Sequence, residues 1–145
     1  MTLHEMSISA IQQALSAGDL SAHEIARHTL DAITRTHPQL NAWTTITEER
    51  MLAEANNIDT LRREKRPLPP LAGVPYAVKN LFDVAGHTTL AGAELFSQRP
   101  VAATDSFAVR QLHSAGGLLS GMVNMDAYAY GFTTENSHYG ATHNP

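Results

Sequence analysis

Lys79 lies at the end of an apolar run and is the residue of this sequence best suited to chemistry. In the run LAGVPYAVKNLFDVAG, Val74, Tyr76 and Val78 alternate as in a half-buried strand. A lysine there either extends its ammonium into water or is held inside the protein for proton transfer. A buried lysine can be neutral at physiological pH because desolvation disfavours the ammonium. A neutral amine can then activate a hydroxyl nucleophile.

Composition excludes several other kinds of chemistry. The 145 residues include no cysteine, which rules out disulfides and thiolate sites, and the eight histidines are not spaced with carboxylates as metal ligands. We therefore expect no metal site. The net charge of −4 disfavours direct nucleic-acid binding. No apolar run approaches the roughly 18 residues of a membrane span, so a cytoplasmic protein is expected.

The first 66 residues are predicted to be helical. Ser7 is a candidate cap for the first helix, and Ser21 with Glu24 has the form of a capping box that opens the second. Pro38 is predicted to end that second helix, and Thr47 to open a third. Each helix carries apolar residues at helical spacing, so each needs a surface against which to pack.

The pattern changes after the proline-rich connector at residues 66–70. A strand is predicted at residues 74–79 and another at residues 118–123. Between them lies a helix for which Thr104 or Asp105 is the candidate N-cap. The order strand, helix, strand predicts a crossover unit of a parallel α/β sheet.

The remaining segments are less regular. A short strand is predicted at residues 88–90, and residues from 124 onward are expected to be irregular or helical. One crossover unit gives too few strands for a complete sheet. The sequence is therefore expected to be a piece of a larger protein.

Several ordered motifs resemble the amidase signature family. They are residues 71–86, 88–92, 121–126 and 134–145, and the similarity extends over essentially the whole chain, with residues 40–43 as the family's usual turn. The resemblance implies the N-terminal portion of a single α/β amidase domain. Residues 1–66 would form a helical front, and residues 71–145 the first strands of a mixed sheet covered by helices.

The resemblance also implies site residues. Family members cleave amide C–N bonds with a Ser–cis-Ser–Lys triad, in which Lys79 matches the lysine. Met125, Ala129, Tyr130 and Gly131 match the segment that lines the acyl-side pocket. For Tyr130 the alternative is ordinary core packing.

Two features differ from the family pattern. Asn80 follows the lysine where many relatives have Asp, although an amide can still bond to nearby backbone. Both serines lie downstream of the Asn-Pro pair in the family, so residues 1–145 are expected to be truncated before the Gly/Ser-rich segment and inactive alone.

For the full protein, the resemblance implies hydrolysis of a small amide or urea-like carboxylate such as 1-carboxybiuret, without a cofactor. A small helical partner subunit is expected. The alternatives are a glutamine amidase subunit for tRNA-dependent amidation and a non-catalytic assembly module derived from an amidase.

Overall fold

The computed structural model describes residues 3–145, which fold as two units, each made from three stretches of sequence. Unit 1 contains the residues up to Thr34, together with Thr47–Tyr76 and Leu112–Ser120. Unit 2 contains Arg35–Ile46, Ala77–Gln111 and Gly121–Pro145. Among the described residues, no helix combines the length and apolar character that crossing a membrane requires.

Helix α1 spans Ile8–Ala17 and has the ends that the sequence predicts. The Ser7 hydroxyl accepts a hydrogen bond from the Ala10 amide at 3.2 Å, and Gly18 ends the helix in the left-handed conformation. A short 3-10 helix, Leu3–Glu5, precedes it. The predicted N-cap is therefore confirmed.

Helix α2 spans Ala22–Leu40, and its capping box is confirmed. The Ser21 amide donates to Glu24 Oε2 at 2.8 Å, and the Glu24 amide donates to Ser21 Oγ at 3.1 Å. The Ser21 hydroxyl also donates to Glu24 Oε2, at 2.7 Å. The Ser21 amide, followed by this hydroxyl, holds the pKa of the Glu24 carboxyl below its ordinary value. Asp59 supplies a second cap for this helix, since its carboxylate accepts from the amides of Ala22 and His23. This cap was not predicted from the sequence.

The prediction that Pro38 ends α2 is wrong by two residues. Pro38 lies inside the last turn, and the helix continues to Leu40. Proline removes one backbone donor, but the Asn41 amide still donates to the His37 carbonyl at 2.8 Å. The Asn41–His37 hydrogen bond therefore closes the last turn of α2, although Pro38 contributes no backbone donor.

Helix α3 spans Glu48–Arg63 and follows Thr47 as predicted. The Thr47 hydroxyl does not cap it. Instead it donates to the Leu119 carbonyl at 2.7 Å. The apolar faces of α1 to α3 form the core of unit 1, which consists of Ile11, Leu15, Ala22, Ile25, Ala26, Leu30, Met51, Ala55, Ile58, Ala72 and Leu118.

Three strands form a mixed sheet in the order β1-β3-β2. They are β1 (Trp43–Ile46), β2 (Pro75–Lys79) and β3 (Leu118–Val123). Strand β1 is antiparallel to β3. Only a turn was predicted at residues 40–43, and β1 was not predicted. A four-residue strand gives almost no periodic signal, and its identity depends on its pairing.

Strands β2 and β3 run parallel. The Leu118 amide donates to the Val74 carbonyl at 2.8 Å, and the Asn80 amide donates to the Val123 carbonyl at 3.0 Å. From the first hydrogen bond to the second, the residue numbers rise along both strands, so the strands point in the same direction. Helix α4, Phe107–Ser114, connects them. The predicted crossover unit is therefore confirmed.

Two finer predictions are wrong, namely the N-cap of α4 and the strand at residues 88–90. The helix begins at Phe107, and the carboxylate of Asp105 accepts from the Ala85 amide at 2.8 Å. Residues 88–90 are not a strand, because the Leu90 amide donates to a side chain, that of Asn80. In both cases a long-range polar contact outweighs the local preference.

The C-terminal segment is more regular than expected. A short 3-10 helix, Ala127–Ala129, is followed by a hairpin of two short strands, β4 (Glu135–Asn136) and β5 (Gly140–Ala141). The strands are antiparallel. The hairpin was not predicted, since two-residue strands have no detectable alternation.

Candidate active site

Lys79 is the last residue of β2, and its side chain is exposed. Its carbonyl accepts from the Phe82 amide at 3.1 Å, so the chain turns sharply directly after the lysine. Among residues 3–145, no carboxylate forms an ion pair with its ammonium. The described residues thus present Lys79 at a strand end and do not bury it.

Asn80, by contrast, is fully buried. Its Nδ2 donates to Thr44 Oγ1 at 2.7 Å, and its Oδ1 accepts from the Leu90 amide at 2.9 Å. The expectation that an amide at this position can bond to nearby backbone is confirmed. Nothing in the residue pattern indicated the role of Thr44.

The loop after β2 connects the lysine end of the strand to the predicted acyl-side segment. The Ala91 amide donates to the Asn80 carbonyl, and the Tyr128 amide donates to the Ala91 carbonyl, both at 2.8 Å. Gly92 allows this close passage, since a Cβ there would lie 2.7 Å from the Asp126 carbonyl oxygen.

The four residues of the predicted acyl-side segment do not form one surface. Met125 is buried, Ala129 is half-buried, and Tyr130 and Gly131 are exposed. Tyr130 is 93% exposed, so the alternative of core packing does not hold within residues 3–145. Residues 129–131 belong to an exposed loop, and Met125 lies beneath its start.

The carboxylate of Asp126 holds the two ends of this loop together. It accepts from the amides of Thr134 at 3.0 Å and Glu135 at 3.1 Å. Gly131 passes close to this carboxylate, and a Cβ at that position would lie 2.5 Å from Asp126 Cγ. Tyr128 and Ala129 have φ values of 56° and 58°, a conformation that costs free energy in non-glycine residues.

Buried Asn136 connects the same loop to the hairpin. Its Nδ2 donates to the carbonyls of Gly92 at 2.6 Å and Met125 at 2.9 Å, and its Oδ1 accepts from the amides of His138 and Tyr139. Sequence reasoning missed Asp126 and Asn136. Their signal was weak, since Asp and Asn are also common in exposed turns.

An open pocket of about 550 Å³ lies beside Tyr128. Glu94 Oε2 and His138 Nδ1 lie 3.1 Å apart on its wall. Burial, with the Glu94 charge as a smaller cause, raises the pKa of the neighbouring Tyr139 phenol. Lys79 does not line this pocket, and among residues 3–145 no three acidic or histidine side chains converge as metal ligands.

Comparison with known sequences identifies the family. The amidase model matches residues 24–145. The chain is 48% identical over 140 residues to AtzE, which is part of the 1-carboxybiuret hydrolase of Pseudomonas sp. (strain ADP), covering 97% of this chain and 31% of that protein. It is 38% identical over 140 residues to one subunit of the glutamyl-tRNA(Gln) amidotransferase of Synechococcus sp. (strain CC9902), covering 97% of this chain and 28% of the relative.

Solved structures agree with the sequence comparison. One chain of a vestigial protein complex, described as revealing the evolutionary origins of an s-triazine catabolic enzyme, matches with a TM-score of 0.95 and 48% identity, over 97% of this chain and 31% of that one. A bacterial aryl acylamidase of the amidase signature family matches with a TM-score of 0.89 and 27% identity, over 96% and 29%. The present chain spans less than a third of the length of these relatives. With its mixed sheet, its helices and its lysine motif, the chain belongs to the amidase signature family, as the resemblance predicted.

Proposed function

We propose that the full-length protein hydrolyses the C–N bond of a small amide, with Lys79 as its general base. The observation that carries the proposal is the position of Lys79, which projects from the end of a parallel strand directly before a fully anchored residue. The edge of the sheet at the carboxyl ends of parallel strands is where α/β proteins place their ligands. The lysine is thus held by its backbone while its amine remains available.

In the proposed reaction, a serine hydroxyl attacks the substrate carbonyl. Its proton passes through a second, cis serine to the neutral amine of Lys79. When the C–N bond breaks, the lysine returns that proton by the same route to the leaving nitrogen. Water then attacks the acyl-serine, and the same two groups move its proton, which regenerates the serine and releases the acid. Backbone N–H groups would stabilise the oxyanion.

This mechanism requires more than the present residues. Residues 3–145 leave Lys79 exposed, so the proposal requires other parts of the longer protein to cover it and exclude water. Both serines are proposed to lie there as well, in the portion of the relatives that this chain does not span. Residues 1–145 alone are therefore expected to be inactive.

For the substrate, we propose 1-carboxybiuret or a similar small urea-like carboxylate. The support is the 48% identity to AtzE of 1-carboxybiuret hydrolase, compared with 38% to the amidotransferase relative. The match to a chain from a protein complex supports association with a partner subunit, and we propose that this partner is small and helical, as the family resemblance implies. We further propose that the enzyme is cytoplasmic and uses no cofactor.

The second candidate is a glutamine amidase subunit for tRNA-dependent amidation. It is favoured by the 38% identity over 97% of this chain to the relative from glutamyl-tRNA(Gln) amidotransferase. The two candidates differ in the fate of the leaving nitrogen, because water accepts the acyl group in both but the released ammonia is passed on only in amidation. Purified full-length protein should therefore be assayed with 1-carboxybiuret and with glutamine.

The test of the mechanism is Lys79→Ala in the full-length enzyme, with Lys65→Ala as control. Lys65 is the other lysine of the sequence and is exposed after α3. We expect Lys79→Ala to lower kcat by about 10²–10⁴-fold or more while leaving the circular dichroism spectrum unchanged. Lys65→Ala should keep wild-type kcat. Near wild-type turnover in Lys79→Ala would exclude Lys79 as the base and would favour a non-catalytic role for this segment.

A further inference from the structure

Asn80 has a bonding partner on every one of its polar groups. Its amide N–H donates to the Val123 carbonyl, and its carbonyl accepts from the Ala91 amide. Its side chain donates to Thr44 and accepts from Leu90. A single residue, adjacent to Lys79, is thus bonded to β1, to the end of β3 and to the loop at residues 88–92.

The hydrogen bonds through Thr44 have one direction. The Leu90 amide needs an acceptor, which fixes Oδ1 of Asn80 on that side and Nδ2 towards Thr44. Thr44 Oγ1 therefore accepts from the amide and donates its own proton to the Met122 carbonyl at 3.1 Å. The relay of hydrogen bonds from Asn80 through Thr44 to Met122 therefore runs in one direction and cannot reverse without losing a bond.

We propose that the Asn80–Thr44 pair positions Lys79 by fixing the direction in which the lysine side chain projects from the end of β2. This inference rests on the proposed function of Lys79. The backbone of residue 80 continues that of residue 79, so any shift of the buried amide moves the lysine backbone with it. Because proton transfer depends on distances of a few tenths of an ångström, the pair affects kcat more than substrate binding.

Thr47 provides a matched comparison within the same chain. Like Thr44, it is a threonine whose hydroxyl donates to a carbonyl of β3, here Leu119 at 2.7 Å. It is buried in unit 1 and makes no bond to Asn80. Removing its hydroxyl therefore removes the same kind of hydrogen bond without disturbing the residue next to the lysine.

The experiment compares Thr44→Val, Thr44→Ser and Thr47→Val in the full-length enzyme. Active sites are counted by titration with a serine-directed covalent inhibitor, so that kcat refers to folded enzyme only. We expect Thr44→Val to lower kcat by about 10–100-fold with KM within about threefold, following the cost of misplacing a catalytic group. Thr44→Ser, which keeps the hydroxyl, and Thr47→Val should keep kcat within about twofold.

Asn80→Ala extends the test to the other partner. The single variant Asn80→Ala and the double variant with Thr44→Val should each lose as much kcat as Thr44→Val alone. The losses do not add, because both changes break the same relay of hydrogen bonds. If Asn80→Ala does not fold, the comparison of the three threonine variants still decides. Equal kcat per active site in Thr44→Val and Thr47→Val, with Lys79→Ala inactive, overturns the positioning role alone, whereas an active Lys79→Ala overturns the proposed function.

Discussion

Units 1 and 2 bury their interiors by different means. Unit 1 has an apolar core in which side chains such as Leu15, Ile25 and Met51 are at most 1% exposed. Unit 2 buries Asn80, Asn124 and Asn136, whose side chains bond to backbone groups of loops and strand ends. The stability that an apolar core contributes depends on the volume it fills and the area it buries. The stability that a buried asparagine contributes depends on the direction of each of its hydrogen bonds.

The difference follows from the amount of regular structure in each unit. Helices satisfy most of their own backbone groups, so apolar faces that fit together make up most of the interior of unit 1. Unit 2 contains long loops whose N–H and C=O groups have no ladder partner, and buried backbone groups must be paired. Amide side chains carry both donor and acceptor, so they can supply the missing partners.

The largest expected effect is Leu15→Ala in unit 1. Leu15 is 1% exposed, and its truncation should lower the free energy of unfolding by about 2–5 kcal/mol through lost burial and a cavity. Leu15→Met, which conserves volume, should cost less than about 1.5 kcal/mol. Urea unfolding measures both. As a control, Leu95→Ala, at a side chain that is 74% exposed, should stay within about 0.5 kcal/mol of wild type.

In unit 2 a change that conserves shape should still be costly. Asn136→Asp places carboxylate oxygens against the carbonyls of Gly92 and Met125, so we expect a loss of about 2–4 kcal/mol in urea unfolding at neutral pH. Protonation of the new carboxyl restores one donor, so the loss should shrink in acid. Asn56→Asp, at an exposed helix position, is the control. A cost for Asn136→Asp as small as that of Asn56→Asp would contradict the contrast between the units.

The smallest effect is expected at the surface of unit 1. The pKa of Glu24 is lowered by its bonds to Ser21, so its contribution to stability is present above the ordinary pKa of a glutamate. That contribution is lost as the pH falls through the lowered value. The melting temperature of Glu24→Gln should therefore lie below that of wild type at about pH 7, and the gap should shrink as the pH falls below the ordinary pKa of a glutamate.

Sequence reasoning succeeded where structure is local or strongly periodic. The cap at Ser7, the box of Ser21 and Glu24, and the strands that end near Lys79 and Val123 were all predicted. Each depends on residues within a few positions of one another, so the printed order of residues contains the information.

The sequence alone determined the helices of the front, the crossover unit, the lysine motif and the family. Only the tertiary structure decided that β1 pairs with β3, that Thr44 and Asn80 meet, and that Asp126 and Asn136 hold the exposed loop that contains residues 129–131. These contacts join residues at least 8 positions apart, and a polar side chain has no periodicity that marks its distant partner. Whether such a side chain faces water or a buried carbonyl is fixed when the loops close around it, because the cost of an unpaired buried group then selects the partner.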